Sequence, residues 1–481
     1  MSKPDQNHTT DALWAIINEL RDEIRQLRNE NAVLRDENAV LRDENASLRK
    51  EVEDLRSKLG TNSKNSSLPP SQDPFRPKQK RKPSGRKQGA QPGHKGHSRQ
   101  AYPTDQITKT IDVQPISCSN CGGNQFHNDP ISIECKQVVE LPPVIAEVTQ
   151  YNIHTCCCDR CGKHQRAKVP KEAERGYGPR LMGFLTLLSG DSQLGKRKIA
   201  SLVGYLGIKI SVGSVCNIHK LACDLLATPF EKIKAKVLAQ SNVNADETSW
   251  RLRSKKCWAW IGATPGATFI EVDPSRSQAA FDRIFNGFQN TLTTDRYGAY
   301  NSHLGNKQVC LAHIDRDFTK VSERSGADGA IGRVLKEQLG EIFGVWKRFK
   351  FGECSRETLQ ELAQPYIDSI KAVLKVGASA AGLTTKTEAL CYDLLGRFPK
   401  LWTFLHQEDV EPTNNLAERG LRPAVIVRKI SGGSQSEWGV RFTERIMSVV
   451  FTLKQRTQNV FEYFVNCFEA RARAGPVPSP C

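Results

Sequence analysis

Asn414-Asn415-Leu416-Ala417-Glu418-Arg419-Gly420-Leu421-Arg422-Pro423 reads on its own as the capped start of a basic helix. Asn415 can act as the cap, which puts Glu418 at the third helical position, the pattern of a capping box. Two earlier stretches change the reading. Val243-Asn244-Ala245-Asp246-Glu247-Thr248 and Thr293-Thr294-Asp295-Arg296-Tyr297-Gly298 each carry an Asp at the end of a strand-like run. Two Asp and one Glu gathered from distant segments can hold two divalent cations, a clamp for in-line displacement at a phosphoryl centre. The local alternatives are that Glu418 satisfies the Asn415 amide and that Asp246 caps a turn. Glu247 is not a ligand candidate, because neighbours in a strand point to opposite faces.

Around these residues the pattern is α/β. Val243–Thr248 predicts a strand. Trp258–Ala263 and Thr268–Val272 flank Thr264-Pro265-Gly266, a hairpin signal. A helix is predicted over Gln278–Phe288, and strands over Thr291–Asp295 and Gln308–Ala312. From Ile314 to Gln407 the pattern is helical, an insertion between the second Asp and Glu418. Cys310 and His313 form a Cys-x-x-His pair. Two ligands cannot close a zinc site, so packing or DNA positioning is the expected role.

Asp-Glu-Thr, Thr-Asp-Arg-Tyr, Cys310-Leu311-Ala312-His313 and Asn-Asn-Leu-Ala-Glu-Arg follow one another in the order seen in insertion-sequence-66-type transposases. Upstream, Asn65-Ser66-Ser67-Leu68-Pro69-Pro70-Ser71 and Gln91-Pro92-Gly93-His94-Lys95-Gly96-His97 are also similar to that family. The resemblance runs from about Leu55 to Arg456. It departs at Arg296, where the family commonly has Gly, and at Ser249, where it often has Pro. The resemblance implies a ribonuclease-H-like core whose mixed sheet sets the two Asp on neighbouring strands. It implies an Asp-Asp-Glu enzyme in which Asp246, Asp295 and Glu418 hold two magnesium or manganese ions, cleave DNA at the element's ends and join the 3′-hydroxyl to target DNA. It also implies accessory proteins of the same element as partners, and a bacterial, nucleoid-associated location.

Residues 11–59 carry a heptad repeat. Leu13, Leu20, Leu27, Leu34, Leu41, Leu48 and Leu55 occupy position d; Ile17, Ile24, Asn31, Asn38, Asn45, Val52 and Leu59 occupy position a. A seam this long is a coiled coil. Glu23, Glu30, Glu37, Glu44 and Glu51 at g face Arg28, Arg35, Arg42, Arg49 and Arg56 at e of a parallel partner. Stacked Asn at position a favours an in-register dimer at some cost in stability. Residues 60–104 then lose all apolar periodicity. Lys80, Arg81, Lys82, Arg86, Lys87 and Lys95 sit in a run without acidic residues, read as a disordered basic tether that gains order on DNA. The basic run follows the zipper and is broken by Pro and Gly, so this is not a basic-zipper arrangement.

Cys118-Ser-Asn-Cys121-Gly122 and Cys158-Asp-Arg-Cys161-Gly162 are matching knuckles. Two such pairs complete a structural four-thiolate zinc site, and residues 105–172 read as an extended zinc-ribbon-like module with strands over Cys135–Glu140 and Val144–Thr155. Four buried thiols are the alternative. Residues 173–240 read as a helical connector. Lys196–Leu206 and Val212–Cys223 are two helices around Gly207–Ser211, either a helix-turn-helix or a plain helical hairpin. The α/β core spans 241–460 with its helical insertion at about 314–407, and 461–481 is a C-terminal tail. The fold class is therefore multidomain α+β.

The chain has 481 residues, enough for several domains, and a net charge of +17. The clustering of that excess favours a polyanionic partner, DNA. Arg419, Arg422, Arg428 and Lys429 lie close after Glu418, suited to substrate phosphates. Fifteen Cys without a signal peptide argue for reduced thiols or bound metal. No apolar run is long enough to span a bilayer, so the expected location is the cytoplasm, without a membrane partner. Two other functions use the same core: a non-catalytic DNA-binding protein derived from a transposase, and a nuclease or resolvase cutting branched DNA without strand transfer. The heptad analysis predicts that the isolated segment 13–59 is a parallel dimer. Sedimentation at tens of micromolar should return twice the monomer mass, and a monomer or an antiparallel cross-link contradicts it.

Overall fold

The computed structural model describes residues 6–59, 101–126, 132–140, 146–170, 173, 176–380 and 383–481. The basic residues Lys80, Arg81, Lys82, Arg86, Lys87 and Lys95 lie outside the described residues. The chain divides into two compact units. One comprises Met1–Arg76, Ala227–Gln458 and Ser479–Cys481, the other Pro77–Leu226 and Asn459–Pro478.

Helix α1, Gln6–Leu59, is an uninterrupted run of 54 residues. Leu20, Leu27, Leu34, Leu41 and Leu48 are exposed along it. The three position-a amides turn back onto their own helix, Asn31, Asn38 and Asn45 donating to the carbonyls of Leu27, Leu34 and Leu41 at 3.0, 2.7 and 2.9 Å.

In the second unit, strands β1 (Thr155–Cys157) and β2 (His164–Arg166) pair antiparallel around the second knuckle. The longer strands predicted over Cys135–Glu140 and Val144–Thr155 do not form among the described residues; only Thr155 keeps strand geometry. Val138 and Val148 are exposed, and a β-rich run becomes a strand only where another strand accepts its hydrogen bonds. Helices α2 (Pro179–Gly190), α3 (Lys196–Tyr205) and α4 (Val212–Leu225) follow. Ser211 caps α4, its Oγ accepting from the Ser214 amide at 3.0 Å, as its sequence position predicts.

The first unit is built on a five-stranded mixed sheet. Helix α5 (Ala227–Leu238) leads into β3 (Asn242–Leu252), β4 (Lys255–Thr264) and β5 (Ala267–Asp273), then α6 (Gln278–Ile284), β6 (Thr291–Thr294) and β7 (Lys307–Val309). The order is β5-β4-β3-β6-β7, antiparallel in the first three and parallel from β3 to β7. Helix α6 stops at Ile284, short of the predicted Phe288, because Gly287 takes a left-handed turn at φ 78°. Strand β7 also ends early, at Val309. Cys310 is the N-cap of helix α7 (Leu311–Ser322), so Leu311 and Ala312 are helical.

Helix α7 opens the predicted helical insertion. It continues through α8 (Gly326–Lys350), α9 (Arg356–Ser379), α10 (Thr385–Gly396) and the single turn α11 (Thr403–His406), around a core that includes Phe318, Leu339, Ile342, Leu359, Leu374 and Phe404. Arg296 ties this insertion to the sheet. Its guanidinium pairs with Asp317 of α7 and, at 2.8 Å, with Asp393 of α10. A Gly at this position would supply neither ion pair.

Helix α12 (Asn415–Ser431) lies on β3 and β4, and α13 (Glu437–Gln455) lies on β5. A Cβ on Gly420 would meet the Ile261 side chain at 2.4 Å, so this glycine sets how closely α12 approaches the sheet. Residues 461–481, read from sequence as a tail, instead contain most of helix α14 (Val460–Ala472), with Tyr463, Phe464 and Phe468 buried. Within the second unit α14 packs on α2, where a Cβ on Gly183 would touch Val465 at 3.0 Å. Its apolar residues recur at helical spacing, a signal the tail reading passed over. No described helix is long and apolar enough to cross a membrane.

Edge strand β5 is closed by side chains of α13. Val272, Ile270 and Thr268 donate their amides to Glu444 Oε1 (2.7 Å), Ser448 Oγ (2.9 Å) and Thr452 Oγ1 (3.1 Å), positions one helical turn apart. Such pairing removes the unpaired donors that make an edge adhesive. Burial pushes the Glu444 carboxyl up to about 7. An acid whose folded value lies above its unfolded one near 4.5 holds its proton better when folded, so its contribution falls as pH rises from about 4.5 through 7. Glu444→Gln keeps an acceptor for Val272 and removes that charge. Urea unfolding should show the variant more stable than wild type at pH 8, by about 1–3 kcal/mol, and the gain should shrink towards pH 5.

Candidate active site

The parallel pairing of β3 with β6 sets Asn244 opposite Thr293. The pairing ends there, and Asp246 and Asp295 each follow two residues later along their own segments. Glu418 enters from the first turn of α12, acidic where the helix dipole favours it. Burial pushes the Asp246 carboxyl well above the usual range, and the charges of Glu247, Asp295 and Glu418 push it the same way. The three predicted carboxylates therefore share one electrostatic neighbourhood. Asp246 accepts from the Glu247 amide and Asp295 from the Tyr297 amide, each at 2.8 Å.

Glu247 is engaged by neighbours of its own. Its side chain is buried and taken by Arg276, at 2.6 and 2.7 Å, and by the Tyr300 hydroxyl. Arg276 in turn stacks on the Tyr297 ring at 3.8 Å, in the loop that follows Asp295.

The cap of α12 is Asn414, not Asn415. The third helical position is then Ala417, and the capping box does not form. The Glu418 amide donates to the Asn414 carbonyl at 3.1 Å, while its Oε1 is buried without a hydrogen-bond partner. Asn414 spends its side chain across the fold. Its Nδ2 donates to the Ala245 carbonyl at 2.8 Å, its Oδ1 accepts from Asn244 at 3.1 Å, and its amide donates to Cys310 Sγ at 3.1 Å. One buried amide thus joins β3, the start of α7 and the start of α12. The cap lies one residue before the position its sequence predicts, and the only local trace of this cross-fold role is a doubled Asn.

Helix α7 also reaches Glu418. His313 Nδ1 lies 3.7 Å from Oε1 and Arg316 Nη2 lies 3.7 Å from Oε2. Among the described residues, Cys310, His313 and Glu418 are the one group of three potential ligands whose donor atoms all lie within 4.8 Å of one another. The Cys-x-x-His pair has the third partner that its sequence did not reveal.

The two knuckles form as separate turns. Gly122 and Gly162 take φ of 73° and 66° and donate to the Cys118 and Cys158 carbonyls at 2.9 and 2.7 Å. Backbone amides from Cys121 and Asn120 lower the Cys118 thiol, and those of Arg160 and Cys161 lower Cys158. No three of the four sulfurs, Cys121 and Cys161 included, come within that 4.8 Å spacing.

Of the predicted phosphate contacts on α12, Arg419, Arg422 and Lys429 are exposed. Arg428 is half-buried and donates to the Ser249 carbonyl and hydroxyl. It lines a cavity of about 700 Å³ with Arg251, Lys256, Trp258 and Lys429, and no acidic residue lines it. Arg251 and Lys256 belong to the β3–β4 hairpin, and nothing in their local sequence points to α12.

A sequence model of a family described as Transposase IS66 family matches residues 177–442, more than half of the chain. This chain belongs to the IS66 transposase family. A family of unknown function matches residues 1–100. An uncharacterized protein of Sinorhizobium fredii, y4qI, is 23% identical over 276 residues, which cover 51% of this chain and 50% of that protein. The chain thus spans about half the length of this curated relative. The IS66 match covers β3 to β7, the whole insertion and α12, and so includes all three carboxylates.

In this IS66-family chain Asn414→Ala leaves the Ala245 carbonyl and the Asn244 amide short of a buried partner. It should lower unfolding free energy by about 2–4 kcal/mol. Asn415→Ala, at an exposed position, should stay within about 0.5 kcal/mol of wild type. Denaturant titration of the two variants checks the contrast.

Proposed function

We propose that this protein is a DNA transposase of the Asp-Asp-Glu class, cleaving phosphodiester bonds at the ends of its element and joining the freed 3′-hydroxyl to target DNA. The observation that carries this reading is that Asp246, Asp295 and Glu418, all within the IS66 match, lie within electrostatic reach of Asp246, whose carboxyl is pushed up first by burial and then by its charged neighbours. Buried carboxylates near one another are a donor set that divalent cations relieve. Asp246, Asp295 and Glu418 would hold magnesium or manganese. A pair of such ions supplies activation of the attacking oxygen and stabilisation of the leaving one. The order β5-β4-β3-β6-β7, with its hairpin start and parallel second half, supports a ribonuclease-H-like core.

The remaining parts bind and orient. Exposed Arg419, Arg422 and Lys429, with the cation-lined cavity beside them, suit DNA phosphates. Arg197, Lys198 and Lys209 are exposed on the α3–α4 pair, which favours its helix-turn-helix reading. The exposed heptad stripe of α1 supports a parallel homodimer. The amide-directed knuckles support one structural zinc on Cys118, Cys121, Cys158 and Cys161.

Asp295→Asn keeps shape and removes charge. With magnesium or manganese and an end-bearing DNA, it should lose cleavage and strand transfer by at least about a hundredfold. DNA affinity should stay within about threefold, because cationic side chains carry it. Asp246→Asn and Glu418→Gln should show the same split, while Glu247→Gln should retain substantial cleavage. Wild-type cutting by Asp295→Asn removes the site assignment. Wild type that binds ends and never cuts replaces the proposal with a non-catalytic DNA-binding protein derived from a transposase.

A further inference from the structure

We propose that Cys310, His313 and Glu418 form a binding site for a soft divalent cation, zinc, separate in donor chemistry from the carboxylates on β3 and just after β6. Cys310 caps α7 and His313 is its third residue, so a Cys-x-x-His spacing brings thiol and imidazole round one helix start. Glu418 comes from the start of α12, and the Asn414 amide on Cys310 Sγ locks the two helix starts together. The three donor atoms all lie within 4.8 Å of one another.

Two of the three are orphaned. His313 Nδ1 and Glu418 Oε1 are buried and neither has a hydrogen-bond partner. Their 3.7 Å separation is too long for a hydrogen bond. It matches the roughly 3–4 Å between two ligands on a tetrahedral ion with bonds near 2 Å. Backbone amides of Asn414, His313 and Ala312 point at the sulfur. On binding, the S–H bond breaks, a sulfur–zinc bond forms and the proton passes to solvent.

Thiolate, imidazole and one carboxylate suit zinc and disfavour magnesium, which takes oxygen ligands. Three protein donors leave a fourth position open, the pattern of an exchangeable rather than a closed site. Glu418 is shared with the proposed catalytic set, so zinc here would draw that carboxylate away from Asp246. This consequence rests on the proposed function; the binding itself does not.

The test uses the reduced full chain, loaded with zinc and desalted, with zinc counted per chain by elemental analysis. Wild type should hold about one zinc more than Cys310→Ser, His313→Asn or Glu418→Gln. Zinc on the knuckle cysteines contributes equally to all four proteins and cancels. Cobalt in place of zinc should give a thiolate charge-transfer band that weakens in Cys310→Ser. Circular dichroism identifies any variant that fails to fold, and His313→Asn, a polar replacement, carries the comparison if Cys310→Ser does. Equal zinc in wild type and folded His313→Asn overturns the proposal. Because no DNA is cut in this assay, its failure is distinct from a failure of the transposase reading.

Discussion

The side chain of Asn414 is the constraint on which the site depends. A primary amide has two donors and an accepting oxygen, and burying it unpaired costs several times what one exposed hydrogen bond contributes. Here it is fully buried and its partners come from β3, reached through both Asn244 and Ala245. Its backbone amide binds the cap of α7. The result fixes Glu418, four residues on, relative to Asp246, two residues past Asn244. Gly420 then lets α12 lie against Ile261 without a clash. The position of the start of α12 against the sheet is thus set by one amide and one missing methyl group.

A second layer of charge holds the strand ends in place. Glu247, next to Asp246, is ion-paired with Arg276 and accepts from the Tyr300 hydroxyl. Arg276 reaches the Tyr297 ring, so the loop after Asp295 is gripped from β3. On its other side Arg296 grips α7 and α10. The departure from the family's usual Gly at this position therefore has a structural use. Ser249, where the family often has Pro, similarly receives Arg428 from α12. Both departures tie a chain segment bearing a carboxylate to the helices around it.

Glu418 stands between two chemistries. Its charge reaches Asp246, a hard oxygen donor, while Cys310 and His313, softer donors, and Arg316 lie close to its oxygens. The basic cavity formed by the β3–β4 hairpin and α12 lies on the elements that carry Asp246 and Glu418.

Much of this was legible in sequence because it rests on local periodicity. Heptads give the long helix, alternation gives β3 to β6, and Thr264-Pro265-Gly266 marks the hairpin. The two Asp and the Glu stood out by residue type and by order along the chain. Tertiary structure alone decided the rest. The cap moved to Asn414 because a buried amide gains more by crossing to β3 than by closing its own helix turn. The strand at Gln308 ended at Val309, because helix α7 begins at Leu311. Among the described residues of Cys135–Glu140 and Val144–Thr155 only Thr155 joined a strand, and Val460–Ala472 became a helix where an apolar face met α2. Hydrogen bonds and burial between distant segments have no signature in a local window, so the sequence determined which elements exist, and packing determined where they stop and what they hold.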